Sequence, residues 1–200
     1  MGYCGGYLAV KGRSSNDVLK ALSLIRTGES EELPESDFNL LEINDWSIIV
    51  STDSDFCLAI EKQTLDLAQF PEAVICFVEE HVMYCSSSYW RSGQRKWFVE
   101  HESEKGERHL NEQGTFPDEY TAIKTRLSVE QDKQDAEYII YKKNKKSWLA
   151  RLLSNSPKAT EFHGADYFFS IPVETAEFYT GYSYDKEPPG NPPYEILIPA

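Results

Sequence analysis

The sequence predicts an α+β fold in which a mainly antiparallel sheet packs against two to four helices. Between about residues 73 and 112, strand-like runs are separated by Ser92-Gly93 and Lys105-Gly106. An Xaa-Gly dipeptide between such runs is typical of a hairpin turn. Outside this region, apolar residues at helical spacing are interspersed with further strand-like runs. We therefore expect a central three-stranded meander over about 73–112, with helices packed on it.

If both dipeptides form two-residue turns, the register of the meander follows. Tyr84 then faces His101 across the first turn, and Glu102 faces His109 across the second. Side chains alternate across a strand, so one face, which includes Trp97, is largely apolar and packs on the core. The opposite face is mixed and acidic, and we expect it to be mostly solvated.

The remaining elements are predicted from apolar spacing, capping residues and prolines. The expected strands outside the meander are 3–10, 38–43, 46–51, 138–141 and 167–171. The expected helices are 14–28, 65–70, 117–132, 147–153 and 172–179. We assign all of them to a single α+β domain over 1–200, whose Pro-rich segment 185–200 forms an extended C-terminal arm.

Charge and cysteine usage narrow the classes of partner and compartment. The chain has 20 Lys and Arg against 33 Asp and Glu, a formal net charge of −13. Such a charge repels phosphates and anionic lipids, so we predict neither a nucleic acid nor a membrane as partner. No run approaches the ~18 apolar residues of a membrane span, and the N-terminus does not read as a signal peptide. The four cysteines contain no CxxC pair, which favours a reduced, cytoplasmic protein.

The least ordinary charge feature is the stretch 27–61, which contains ten acidic residues and no Lys or Arg. One interpretation is a solvated acidic loop and hairpin. The sharper interpretation is a docking surface for a basic protein partner. The predicted partner-binding residues are Glu31, Glu32, Glu35, Asp37, Asp53 and Asp55.

The sequence offers little support for catalysis or for a cofactor. A P-loop, a GxSxG elbow and an HExxH motif are all absent. In the predicted register, His81 and His109 lie roughly 10–12 Å apart, too far to share one zinc ion, and His101 faces the other way. We therefore predict no catalytic residue, no metal ligand and no cofactor. A metal-dependent hydrolase that uses His81, His109 and the nearby carboxylates stays open as an alternative.

A small acidic α+β chain with a base-free acidic stretch resembles the immunity proteins of bacterial toxin systems. The resemblance covers size, charge and fold class, and no motif. It implies a non-enzymatic binding module that presents carboxylates to a basic partner such as a toxin nuclease. Segments 78–84 and 166–172 resemble an uncharacterised bacterial family, which implies no function.

A third interpretation is a structural or regulatory homo-oligomer. In it, the basic cluster of one copy meets the acidic stretch of another. That cluster consists of Lys142, Lys143, Lys145 and Lys146.

Overall fold

The computed structural model describes residues 2–146 and 164–200. Its strands are β1 Cys4–Lys11, β2 Leu24–Glu31, β3 Phe38–Ile43, β4 Trp46–Ser51, β5 Glu72–Glu79, β6 Tyr84–Arg91, β7 Gln94–Glu102, β8 Asn111–Gly114 and β9 Tyr194–Pro199. Its helices are α1 Ser15–Leu22, α2 Ser54–Glu61, α3 Asp118–Lys146 and α4 Ser170–Thr180, with a 3-10 turn at Ser103–Lys105.

The nine strands form one antiparallel sheet in the order β2-β9-β3-β4-β1-β5-β6-β7-β8. The predicted α+β class is confirmed. Two local turns fix much of this order. Asn44 and Asp45 have φ of 48° and 67° between β3 and β4, and Ser92 and Gly93 have φ of 50° and 73° between β6 and β7. Positive φ at both central residues gives the backbone twist that two-residue hairpins favour.

The central meander contains four strands instead of the predicted three. The run expected as its first strand is divided by a turn over residues 80–83, so that Glu79 pairs with Tyr84. Met83 takes a φ of 51° in this turn, and the Glu80 carboxylate accepts a hydrogen bond from the Tyr3 amide at 2.7 Å. This tertiary contact holds the turn, and it has no counterpart in the local sequence pattern.

A β-bulge changes the register between β6 and β7. Tyr89 pairs with Trp97, one residue beyond the partner that a regular hairpin gives. The predicted pairing of Tyr84 with His101 is therefore wrong: His101 pairs with Cys85 instead. Because one residue of shift exchanges the two faces of a strand, the bulge places Trp97 and His101 on the same face as Tyr89 and Cys85.

The register between β7 and β8 agrees with the prediction, although the connection differs. Glu100 pairs with Asn111, and farther along the Glu102 amide donates to His109 Nδ1 at 3.2 Å. The strands are joined by the 3-10 turn and a short loop instead of a two-residue turn. The loop is held by backbone hydrogen bonds around Gly106.

Both faces of the sheet are covered. Leu8, Ile49 and Ile75 pack with α1 and α2 on one face. On the other face, residues such as Ile48 and Val74 pack against α4. Trp97, Val99 and Leu127 belong to a third cluster, where α3 and α4 meet the β7 end of the sheet. We predicted that one face of the meander is mostly solvated. This prediction is wrong for the parts of that face that the helices cover.

Two elements in the first third of the chain differ from the sequence prediction. The predicted helix 14–28 ends at Leu22, where Ser23 has a φ of 55°, and the chain continues as the extended strand β2. Helix α2 was not predicted. Its signal is the N-cap Asp53 followed by Cys57 and Ile60, which are buried at helical spacing.

Four further predictions are corrected. Residues 138–141 belong to α3 and not to a strand, and residues 65–70 do not form a helix. Residues 167–171 form the turn and first positions of α4. The predicted arm 185–200 ends in β9, which lies between β2 and β3 inside the sheet. The predicted helix 147–153 lies outside the described residues.

Helix α3 is the longest helix, with 29 residues, and carries many charges. Among the described residues, no helix has the combination of length and apolarity that crossing a lipid bilayer requires.

Candidate protein-binding surface

The six predicted acidic residues lie at the β2–β3 connection and at the β4–α2 junction. Because β9 separates β2 from β3, the six-residue connection 32–37 has to cross β9. The two segments meet at Ser51. Its hydroxyl donates to the Asp37 carbonyl at 2.6 Å and accepts from the Asp53 amide at 3.0 Å. The fold thus brings both acidic segments to the same end of the β3–β4 hairpin.

Glu31 is committed to the fold. Its carboxylate accepts from the Glu35 and Ser36 amides at 2.9 and 2.8 Å, from the Ser36 hydroxyl at 3.1 Å and from Asn39 Nδ2 at 2.6 Å. Desolvation acts to raise the pKa of Glu31, but the hydrogen bonds outweigh it and hold the pKa below its usual value. The carboxylate therefore fixes the shape of the connection, so Glu31 is a positioning residue.

Asp53 also has an internal role. Its side chain accepts from the Phe56 amide at 2.8 Å and caps the N-terminus of α2. An aspartate in this position satisfies an otherwise unpaired amide and interacts favourably with the helix dipole. Both Glu31 and Asp53 were predicted to bind a partner. In the structure, the Glu31 carboxylate stabilises the 32–37 connection and the Asp53 carboxylate stabilises the first turn of α2.

The other four carboxylates differ from these two. We call Glu32, Glu35, Asp37 and Asp55 the acidic quartet. All four residues are exposed. Among the side chains that the structure describes, none of the quartet forms an ion pair with Lys, Arg or His. Elsewhere acidic side chains do find bases, as Glu195 does with Arg26 at 2.6 Å and Glu112 with Lys124 at 2.6 Å.

An exposed apolar side chain lies among the quartet. Leu33 is 63% exposed and stands between Glu32 and Pro34 in the connection that Glu31 fixes. Sequence reasoning missed it, because the periodicity of a six-residue loop contains no information about exposure. Covering an exposed apolar side chain removes apolar surface from water, so Leu33 would contribute to binding if a partner protein buried it.

His81, His101 and His109 do not assemble into one site. His81 is exposed in the β5–β6 turn, where its Nδ1 lies 2.6 Å from Glu79 Oε1. Hydrogen bonds from the Cys4 thiol and from His81 lower the pKa of Glu79. His101 is fully buried, and His109 contacts β7 from the following loop. Within the described residues, no three His, Cys, Asp or Glu side chains are grouped to hold a metal ion.

The four cysteines are free, and their thiols are poor nucleophiles. Cys57, Cys76 and Cys85 are buried, whereas Cys4 is exposed on β1. Burial raises the pKa of the Cys76 thiol to about 12, and desolvation together with the neighbouring Glu79 raises that of Cys4 to about 12. Because the thiolate is the reactive form, these groups are mostly inert at neutral pH.

The basic cluster lies at the C-terminal end of α3. Lys142 and Lys143 are exposed there, and the Lys142 ammonium lies 4.3 Å from the centre of the Tyr138 ring. The side chains of Lys145 and Lys146 lie outside the described residues. Lys142 and Lys143 therefore add exposed positive charge to a helix that packs near β7.

Comparisons with known proteins give no identification. No protein-family model matches the chain, and neither a curated protein nor a solved structure matches it.

Proposed function

We propose that the protein is a non-enzymatic binding module that engages a basic protein partner through the acidic quartet. One observation carries the proposal. The four carboxylates are exposed and form no ion pair among the described side chains. They lie on the 32–37 connection and on the first turn of α2, which adjoin at Ser51. The turns are braced by Glu31 and Asp53, whose carboxylates are used internally.

Apart from Asp55, which lies in the first turn of α2 and interacts favourably with the helix dipole, these carboxylates have no contact that stabilises the fold among the described side chains. Neighbouring exposed carboxylates repel one another, and this repulsion slightly destabilises the folded state. The same field attracts a positively charged partner and raises the association rate. The internal hydrogen bonds of Glu31 keep the connection in one shape, which reduces the entropy lost when a partner binds.

The chemistry of the surface favours a particular kind of partner. Carboxylates match Lys and Arg groups that would otherwise hold phosphates, so a nuclease of a toxin system is a suitable partner class. Leu33 provides an exposed apolar contact beside the carboxylates. In this proposal the protein neutralises its partner by occupying the basic site.

The test is affinity capture from the native host with three versions of the protein as bait. The first is the wild type. The second is the quartet variant, with Glu32→Gln, Glu35→Gln, Asp37→Asn and Asp55→Asn. The third is a control variant that removes four exposed carboxylates elsewhere: Glu104→Gln, Glu107→Gln, Glu119→Gln and Glu187→Gln.

We expect the wild type and the control to capture the same basic protein at low salt. Capture by the quartet variant should fall by about tenfold, because electrostatic steering is lost. Equal capture by all three baits would contradict the proposal, because the quartet would then not contribute to binding. The same loss in both variants would also contradict it, because net charge alone would then explain the result.

A further inference from the structure

An apolar cleft opens on the face of the sheet that α1 and α2 cover. Its volume is about 460 Å³, comparable with clefts that bind small ligands. Its lining includes the buried Leu24, Phe38 and Phe70 and the half-buried Phe56 and Leu65. The half-buried side chains keep part of their apolar surface in water, so covering that surface with an apolar group is favourable.

The walls of the cleft are held by backbone hydrogen bonds. The Ala200 amide donates to the Ser23 carbonyl at 2.8 Å, which holds the end of β9 beside the end of α1. In the segment that follows α2, the Phe70 amide donates to the Leu67 carbonyl at 3.1 Å. Because the cleft is already formed, filling it costs little conformational entropy of the protein.

Two members of the acidic quartet adjoin this cleft. Asp37 precedes Phe38, and Asp55 precedes Phe56. The two phenylalanine rings contact each other edge to face, with centroids 5.5 Å apart at 76°. The Cα atoms of both aspartates therefore lie about 3.8 Å from those of residues that line the cleft. Apolar surface and negative charge are thus available to the same segment of a partner.

The charge around the cleft narrows the choice of occupant. Within the part of the chain that the structure describes, the lining contains no Lys, Arg or His, and its one ionisable side chain is the exposed Asp66. Asp66 forms no ion pair among the described side chains. A neutral apolar ligand would leave Asp37, Asp55 and Asp66 without a counter-charge. An apolar side chain flanked by bases matches both the apolar lining and the carboxylates.

We propose that the cleft receives one large apolar side chain from a segment of the basic partner, with Lys or Arg within three positions of it on either side. This inference rests on the proposed function, since it names what the partner presents to the same surface. An extended segment advances roughly 3.3 Å per residue, so bases at these positions reach the carboxylates beside Phe38 and Phe56. The apolar side chain contributes affinity through burial, and the bases contribute orientation and association rate.

The test uses two synthetic peptides of equal charge as probes. Each carries two Arg and two Lys around a central residue, which is Phe in the first peptide and Ser in the second. Signals from the Leu22, Leu24 and Leu65 methyl groups report on the cleft, and the quartet amides report on the carboxylates. Both peptides should shift the quartet amides, and only the Phe peptide should shift the cleft methyl signals. The Phe peptide should bind about tenfold more tightly, because it alone buries an apolar side chain.

A variant that fills the cleft provides the second comparison. Ala21 is half-buried in the lining, so Ala21→Phe places a larger side chain in the space. The matched control is Ala122→Phe, the same change at an exposed position on α3. In Ala21→Phe the two peptides should bind with equal affinity, whereas Ala122→Phe should keep the preference of about tenfold for the Phe peptide.

The outcomes separate this inference from the proposed function. If both peptides shift the quartet amides and bind the wild type with equal affinity, the quartet attracts bases and the cleft proposal alone is overturned. If neither peptide shifts the quartet amides, the proposed function is contradicted as well. An unchanged preference in Ala21→Phe would place the apolar contact elsewhere and overturn the cleft proposal. If Ala21→Phe does not fold, the two peptides with the wild type decide the matter.

Discussion

The acidic quartet and the buried pair of His101 and Asp166, whose Nε2 and Oδ2 atoms are 3.0 Å apart, use the same carboxylate chemistry in opposite ways. The quartet is exposed and, among the described side chains, without ion pairs, whereas the Asp166 carboxylate has a buried imidazole and two backbone amides as partners. Removing the His101 contact leaves a buried polar group unsatisfied, while removing an exposed carboxylate leaves only water contacts. The difference separates charge that builds the fold from charge that is available to a partner.

Glu31 and Asp53 show the same contrast within one region, because they lie in the same acidic segments as the quartet. Their hydrogen bonds run inward, to the connection before β3 and to the first turn of α2. Acidic composition alone therefore does not define a binding surface. A carboxylate is structural when backbone amides and polar side chains converge on it, and it is available to a partner when they do not.

The largest effect is expected at the buried site. Asp166→Ala removes the partner of His101 Nε2 and uncaps the Phe168 and Phe169 amides, so we expect a loss of about 3 kcal/mol in the free energy of unfolding. Chemical denaturation measures it. His81→Ala, which removes the exposed His81–Glu79 pair, should change stability by less than about 0.5 kcal/mol. Similar losses in the two variants would remove the distinction between buried and exposed pairs.

A smaller effect is expected for Glu31→Gln. The substitution weakens four hydrogen bonds to a carboxylate, and we expect a loss of about 1–2 kcal/mol at neutral pH. The folded-state pKa of Glu31 lies below its usual value of 4.5. The carboxylate therefore stabilises the fold above that value, and this contribution is lost as the pH falls through the folded-state pKa. The stability difference between wild type and variant should shrink below about pH 4.5, and a constant difference would contradict the assignment.

The helix cap ranks next. Asp53→Ala removes the acceptor for the Phe56 amide and should cost about 1 kcal/mol, whereas Asp53→Asn should cost little because asparagine caps a helix nearly as well. Thermal denaturation of the two variants separates the loss of a cap from the loss of a charge. If Asp53→Asn were as unstable as Asp53→Ala, the charge and not the cap would be the important property.

The smallest effect on stability is expected for the quartet variant. Its free energy of unfolding should stay within about 0.5 kcal/mol of the wild type, with a slight gain at low salt from reduced repulsion. The free energy of unfolding of the control variant should change by a similarly small amount. A large destabilisation of the quartet variant alone would show that these carboxylates have structural partners.

Local signals in the sequence were sufficient for part of the fold. The Asn44-Asp45 and Ser92-Gly93 turns were located correctly, because their residues tolerate positive φ. Strand β9 was missed, since it pairs with β2 and β3, which are more than 150 residues away in the sequence. Two prolines before β9 favoured an extended arm, and the strand-like run that follows them does not show which strands it pairs with.

The sequence predicted six acidic residues as a binding surface, without indicating which of them have partners inside the fold. Only the contacts of Ser36 and Asn39 distinguish Glu31 from Glu32. The pairing of His101 with Asp166 joins residues 65 positions apart and depends on the β6–β7 bulge, which no turn rule predicted. The sequence pattern therefore contained no information about burial or about long-range partners.

Binding through the acidic quartet is best tested by the association rate of the captured basic partner, measured across a range of ionic strength. The wild type and the control variant should associate rapidly at low salt and slow down steeply as salt rises. The quartet variant should associate about tenfold more slowly at low salt, with a shallower dependence on salt. If the quartet and control variants gave the same rates and the same salt dependence, the acidic quartet would not be the binding surface.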